Sequence, residues 1–296
     1  MDDAALADMA RWDALLSGCP LFNGFEPYRG FFIEPDIDRM SCLLAECEHG
    51  GPLRFAPQTA TLLADGLHYE QRIAERGIIA TRERVPHDLF NGIMWLRHSA
   101  LKRAMNSRQV ADIARVGPKH RTRGQCALTH FDEAGAIVWL AGPDLAAAWN
   151  AHDWPALFLK NRAAWGSRIA VTVIGHALFD YALEHGEAPV AKALAVHVDE
   201  AEIAARSNAA SILAWPHAER WLAEAIASGH LLADPQELRP LPLAGIPGWH
   251  TGEQSEVFYS TAPCFRPLRP GRRYPAPLIF TGMGAVERAF EQAATG

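Results

Sequence analysis

The stretch QCALTHFDEAGAIVWLAG, Gln125–Gly142, sets two β-rich runs on either side of Asp132-Glu133-Ala134-Gly135. It is the strongest hairpin signal in the chain, because DEAG supplies turn residues between two apolar runs. Downstream, RIAVTVI (Arg168–Ile174) is a β-branched strand, which Gly175 turns into the helix HALFDYALEHG (His176–Gly186). AKALAVHV (Ala191–Val198) reads as another strand. Upstream, HYEQRIAERGIIATR (His68–Arg82) changes period around Glu75-Arg76-Gly77 and is expected to form a hairpin or two short strands.

The remaining segments are helical or irregular. DIDRMSCLLAECEHGG (Asp36–Gly51) starts acidic, is apolar in the middle and closes on two glycines, which marks a helix. Pro86 stands where a first helical turn tolerates its missing N–H, and helix is expected from there to about Arg115, before VGPKH (Val116–His120). Further helices fit 199–213 and 216–229, and a Pro-rich tail from Asp234 carries little regular structure. Strands scattered among helices without a βαβ rhythm predict an α+β fold with a small, largely antiparallel sheet. The single crossover, 169–198, leaves room for a mixed sheet. The expected organisation is one compact domain: a helical part over 1–60, an α+β core over 65–230 and an extended wrap over 231–296.

Composition limits the function. The 296 residues are 49% hydrophobic with nine Trp, enough for a substantial buried core. A net charge of −6 argues against bulk attraction to nucleic acid or anionic membrane. No uninterrupted apolar run reaches spanning length. The acidic, amphipathic start MDDAALADMARWDALL lacks a leader's basic region and apolar core, so the expected location is cytoplasmic. Cys19, Cys42, Cys47, Cys126 and Cys264 show no CxxC spacing and read as ordinary reduced thiols.

Candidate site residues gather in TRERVPHDLFNGIMWLRHSALKRAMN, Thr81–Asn106. At 100° per residue, His87, Asn91, Trp95, His98, Lys102 and Asn106 share one side, with Leu89, Phe90, Ile93 and Leu96 opposite. A solvated face usually carries Glu, Lys, Gln and Arg. Asn at two interior positions costs roughly half to one kcal/mol each, and Trp95 suits open water poorly, so the stripe reads as a lined site. Arg82 and Arg84, alternating along an extended strand, lead into the helix N-terminus at Pro86–Asp88, where free N–H groups favour an anion. Asp88 could instead satisfy that first turn itself.

A second group is IGHALFDY, in which Asp180 lies i+4 from His176 and is expected to support its imidazole and raise its pKa. A third is KHRTRGQCALTHFDEAG, where Arg121 and Arg123 alternate and Asp132–Glu133 occupy the expected turn. Neither HExxH, a P-loop, GxSxG nor GxGxxG occurs, so no nucleotide-cofactor motif is present. A divalent metal is a secondary expectation, through His87, Asp88 and Asp132.

The order YEQRI…G…TR…HDLFN…W…K…N, then R…AL…FDEAG, GHAL, PLPLAGIPGW and FRPLR resembles the bacterial domain-of-unknown-function family 3025, from about Arg54 to Arg269. The resemblance implies one domain and carries no activity. This chain departs from the family pattern at two places: the family typically has a Pro near Ser99, absent here, which suggests a break between two helices, and a Glu where this chain has Asp180, so that only a carboxylate is expected to be needed there.

Taken together, the residues point to a hydrolase or transferase acting on a small anionic, phosphate- or carboxylate-bearing substrate. Arg82, Arg84, Lys102 and Arg123 would bind the anion, and Asn91 and Asn106 would line the site. His87 or His176 would move the proton, oriented by Asp88 or Asp180. The alternative is a non-catalytic ligand-binding or regulatory protein using the same cluster. A nucleic-acid face would need Arg82, Arg84, Lys119, Arg121 and Arg123 on one surface. Oligomeric state has no signature in the sequence.

Overall fold

The computed structural model describes Trp12, Ala14 and residues 18–47, 53–186, 189–207 and 216–281. Its principal elements in order are α1 (Ile37–Cys47), β1 (Arg54–Pro57), α2 (Tyr69–Arg76), β2 (Ile78–Thr81), α3 (Pro86–Arg97), α4 (Ser99–Val116), α5 (Arg123–Ala134) and β3 (Gly135–Leu140). Then follow α6 (Pro143–Asn150), β4 (Ile169–Val173), α7 (His176–His185), β5 (Val190–His197), α8 (Pro216–Ala227), β6 (Arg239–Pro242) and β7 (Leu278–Ile279). The fold is α+β. Among the described residues, no helix is long and apolar enough to cross a membrane.

The main sheet is five-stranded and mixed, ordered β4-β3-β5-β6, with β7 also on β5. β3 is antiparallel to β4 and parallel to β5; β5 is antiparallel to β6 and parallel to β7. All six residues of β3 are buried, as expected for a strand covered on both faces. The period-2 alternation divides its side chains between two cores. Ala136, Val138 and Leu140 meet Leu178 and Phe179 of α7 and Trp149 of α6. Ile137 and Trp139 join Leu101 of α4, Leu128 and Phe131 of α5 and Leu222 of α8. A smaller third core holds the parallel pair β1-β2 against α1 and α3, through Met40, Phe55, Ile79 and Trp95.

Several expectations are corrected. Tyr69–Arg76 is a helix, not a strand; it stops at Gly77, whose φ of +65° is open to glycine without strain. The alternation of Tyr69, Gln71 and Ile73 was too short to separate period 2 from the i, i+4 pair Tyr69 and Ile73. The first half of the expected hairpin is likewise a helix, α5. Thr122 and Gln125 close a capping box at its start, and it runs into β3 with no turn at DEAG. The single helix expected over 86–115 breaks at His98, as the family resemblance implied. The strand before α3 ends at Thr81 and Arg84 turns left-handed (φ +59°), so Arg82 and Arg84 do not alternate along an extended segment. The C-terminal wrap is more regular than expected, since β6 and β7 both edge the main sheet. The helix expected over 199–213 is seen at Glu200–Ser207, and its remainder lies outside the described residues.

Candidate functional site

The β3–β4 register builds the site. Ala136 sits opposite Val173, so the end of α5 just before β3 and the start of α7 just after β4 emerge at the same end of the sheet. Ile174 and Gly175 both donate their N–H to the Gly135 carbonyl, at 2.9 and 2.8 Å, which fixes that junction. Gly175 is needed for space: a Cβ there would lie 2.3 Å from the Gly135 nitrogen. Asp132 and Glu133 therefore face His176 across a helix end and a helix start.

α3 supplies the third side. Asp88 accepts from the Arg82 backbone N–H at 2.7 Å and from its Nε and Nη2 at 3.0 and 2.7 Å, which closes the turn between β2 and α3. With α3 packed on α7, His87 is brought to His176. Their Nε2 atoms are 3.1 Å apart. Glu133 Oε2 lies 3.5 Å from His176 Nε2 and 3.9 Å from His87 Nε2. The outer nitrogens face carboxylates: His87 Nδ1 is 3.3 Å from Asp180, and His176 Nδ1, buried with no hydrogen bond, is 4.0 Å from Asp132.

This cluster lies at the wall of a cavity of about 420 Å³. Below it, Lys102 donates to Asn91 Oδ1 at 2.8 Å and to Asp132, with its ammonium 5.4 Å from the centre of the Trp95 ring. Asn91 in turn donates to the Tyr69 hydroxyl at 2.9 Å, and Asn106 donates to the Glu70 carbonyl at 2.9 Å and its carboxylate at 2.5 Å. The two asparagines that cost α3 and α4 helix propensity thus spend their amides on this polar wall.

Electrostatics follow from burial and these neighbours. Burial lowers the His176 pKa to about 4, with Lys102 and His87 adding to the shift and Asp132 opposing it, so this imidazole is neutral near pH 7. The expected rise through Asp180 does not occur, because that carboxylate faces His87. Burial pushes Asp132 up, but the charges of Lys102, His176 and His87 outweigh it and hold the carboxyl below its usual value. Glu133 is raised, by burial and by repulsion from Asp132 and Asp180. Burial also raises Glu70 and lifts Tyr69 beyond the ordinary phenol range.

The expected residues therefore divide. His87, His176, Asp132, Asn91, Lys102, and Asn106 meet around one cavity, with Asp180 behind His87. Arg82 and Asp88 line the same cavity but are spent on each other, so Asp88 does not orient His87. Of the expected metal set His87, Asp88 and Asp132, only His87 belongs to the group that could hold a metal among the described residues, which is His87, Glu133 and His176. Arg84 is exposed in the turn and outside the lining, and Arg123 pairs with Asp234. His98 turns away at the helix break, 3.0 Å from Glu219. Tyr69 and Glu70 line the cavity although sequence reasoning gave them no role there, as do Glu133, read as a turn acid, and Arg121, read only as a neighbour of Arg123 and part of a nucleic-acid face. Reading 123–134 as a helix would have placed Glu133 on one side with Gln125, Thr129 and Asp132, which also line the cavity.

The family model described as "Protein of unknown function (DUF3025)" matches residues 53–269, which hold every residue of this cluster. No curated protein and no solved structure matches the chain. With most of its length covered by that match, the chain belongs to the DUF3025 family.

Proposed function

We propose that the protein is an enzyme, a hydrolase in preference to a transferase, acting on a small anionic substrate. The observation that supports it is the meeting of His87, His176 and Glu133 at the wall of one cavity, on three separate helices. A merely structural imidazole pair gains nothing from a half-exposed carboxylate and an open cavity beside it. In this reading the three groups activate water. Its oxygen adds to a carbonyl or phosphoryl centre, its proton passes to the site, and the leaving group departs with a proton. Lys102 adds a buried positive charge to the same wall. Arg121, exposed on the lining and with no ion pair among the described residues, is the cation at the mouth that takes the substrate anion.

The test is turnover of small phosphate and carboxylate esters by the wild type, His87→Ala, Arg121→Ala and Arg123→Ala. The wild type and Arg123→Ala should turn over alike, Arg121→Ala should raise KM, and His87→Ala should lose kcat. Saturable binding of such compounds without turnover would instead select the non-catalytic ligand-binding reading. Equal KM values for the two arginine variants would remove Arg121 from the site.

A further inference from the structure

We propose that His87, His176 and Glu133 hold one divalent transition-metal ion of the zinc class; this deepens the water-activating reading above. The three facing atoms, His87 Nε2, His176 Nε2 and Glu133 Oε2, form a triangle with sides of 3.1, 3.5 and 3.9 Å. The point equidistant from all three lies about 2.0 Å from each, against typical zinc distances of about 2.0–2.2 Å to imidazole nitrogen and carboxylate oxygen. A single hydrogen bond between the imidazoles would use one proton and leave the carboxylate oxygen without a role. A cation serves all three atoms.

The surroundings agree independently. A metal-bound imidazole usually donates its other N–H to a carboxylate or carbonyl, which fixes the tautomer. His87 Nδ1 follows this pattern, 3.3 Å from Asp180; His176 Nδ1 is buried without a hydrogen bond, with Asp132 the nearest carboxylate at 4.0 Å. Charge favours a cation too. Lys102 pairs with Asp132 and its charge also reaches Glu133, but among the described residues the ion-pair partners of Glu133 and Asp180 are imidazoles and not Lys or Arg. Two imidazoles and one carboxylate suit zinc, iron or cobalt; magnesium and calcium prefer oxygen donors. Three protein ligands leave the remaining positions open to water or substrate, as in catalytic zinc sites.

The experiment uses the full chain, stripped with chelator and titrated with Zn²⁺ alone by calorimetry and with Co²⁺ alone by visible absorption. The wild type should bind one equivalent of Zn²⁺, give a Co²⁺ d–d band, and melt higher with either ion. His87→Ala and Glu133→Gln should each weaken Zn²⁺ binding more than 100-fold, and Asp180→Asn about 10- to 100-fold. His98→Gln, a histidine outside the cluster, should bind as the wild type does. Far-UV circular dichroism confirms that each variant is folded, and Glu133→Gln keeps the test informative if a histidine variant is not. Binding of no Zn²⁺ at one equivalent, or unchanged binding in folded His87→Ala and Glu133→Gln, overturns the metal site. Turnover by the chelated protein would overturn the ion's part in activating water while leaving the hydrolase reading intact; stoichiometric Zn²⁺ without turnover does the reverse.

Discussion

Replacing Lys102 by Met tests whether the polar wall is held by charge. Lys102 is 4% exposed, bonded to Asn91 at 2.8 Å and to Asp132, and it lies over the Trp95 ring. Met fills nearly the same stem volume, so packing changes little and the ammonium alone is removed. Breaking a fully buried ion pair from one side costs about 3–5 kcal/mol, because the remaining charge is stranded. The Asp132 side chain keeps a quarter of its surface in water, which lowers the expected loss to about 2–3 kcal/mol. Lys102→Met with Asp132→Asn removes both charges, so the double variant should be more stable than the sum of the single losses by about 1–2 kcal/mol. Urea denaturation of chelator-treated protein at neutral pH measures all four corners of the cycle, with an unchanged slope showing that the unfolded state is comparable. A Lys102→Met variant within about 0.5 kcal/mol of wild type, or strict additivity in the cycle, would refute the buried charge as the clamp of this wall.

Two further outcomes follow from the geometry. Gly175→Ala drives a Cβ to 2.3 Å from the Gly135 backbone nitrogen, and backbone cannot yield as a side chain does. The variant should lose more than about 2 kcal/mol by overpacking, and Zn²⁺ affinity should fall with it because His176 is the next residue; normal melting and normal affinity together would contradict the junction. Asp65 is held at about 2 by its hydrogen bond from Arg72, then by the Leu67 N–H. A lowered folded-state pKa stabilises above the ordinary Asp value of about 3.9 and is lost as pH falls toward 2. The gap in urea midpoint between wild type and Asp65→Asn should therefore be full at neutral pH and close between about pH 4 and 2; a gap constant down to pH 2 would show that the carboxylate charge does not act.

The sequence by itself determined the long-period features. The strands β4 and β5, the helices α1, α7 and α8, and the α+β class are all legible, because each has an apolar pattern long enough to separate period 2 from period 3.6. The unusual asparagines marked Asn91 and Asn106 as more than a wet surface, since a helix keeps such residues at a cost. Tertiary structure decided what short segments and charges became. Tyr69–Arg76 and Arg123–Ala134 are helices because their i, i+3 and i, i+4 faces meet other elements, a choice no local window contains. Pairing was also decided in space. His176 has Asp180 one turn away in sequence, yet that carboxylate reaches His87, while Glu133, distant in the chain, meets both histidines through the β3–β4 register. A charge takes the partner that burial and geometry put nearest, and sequence spacing constrains that only within one element.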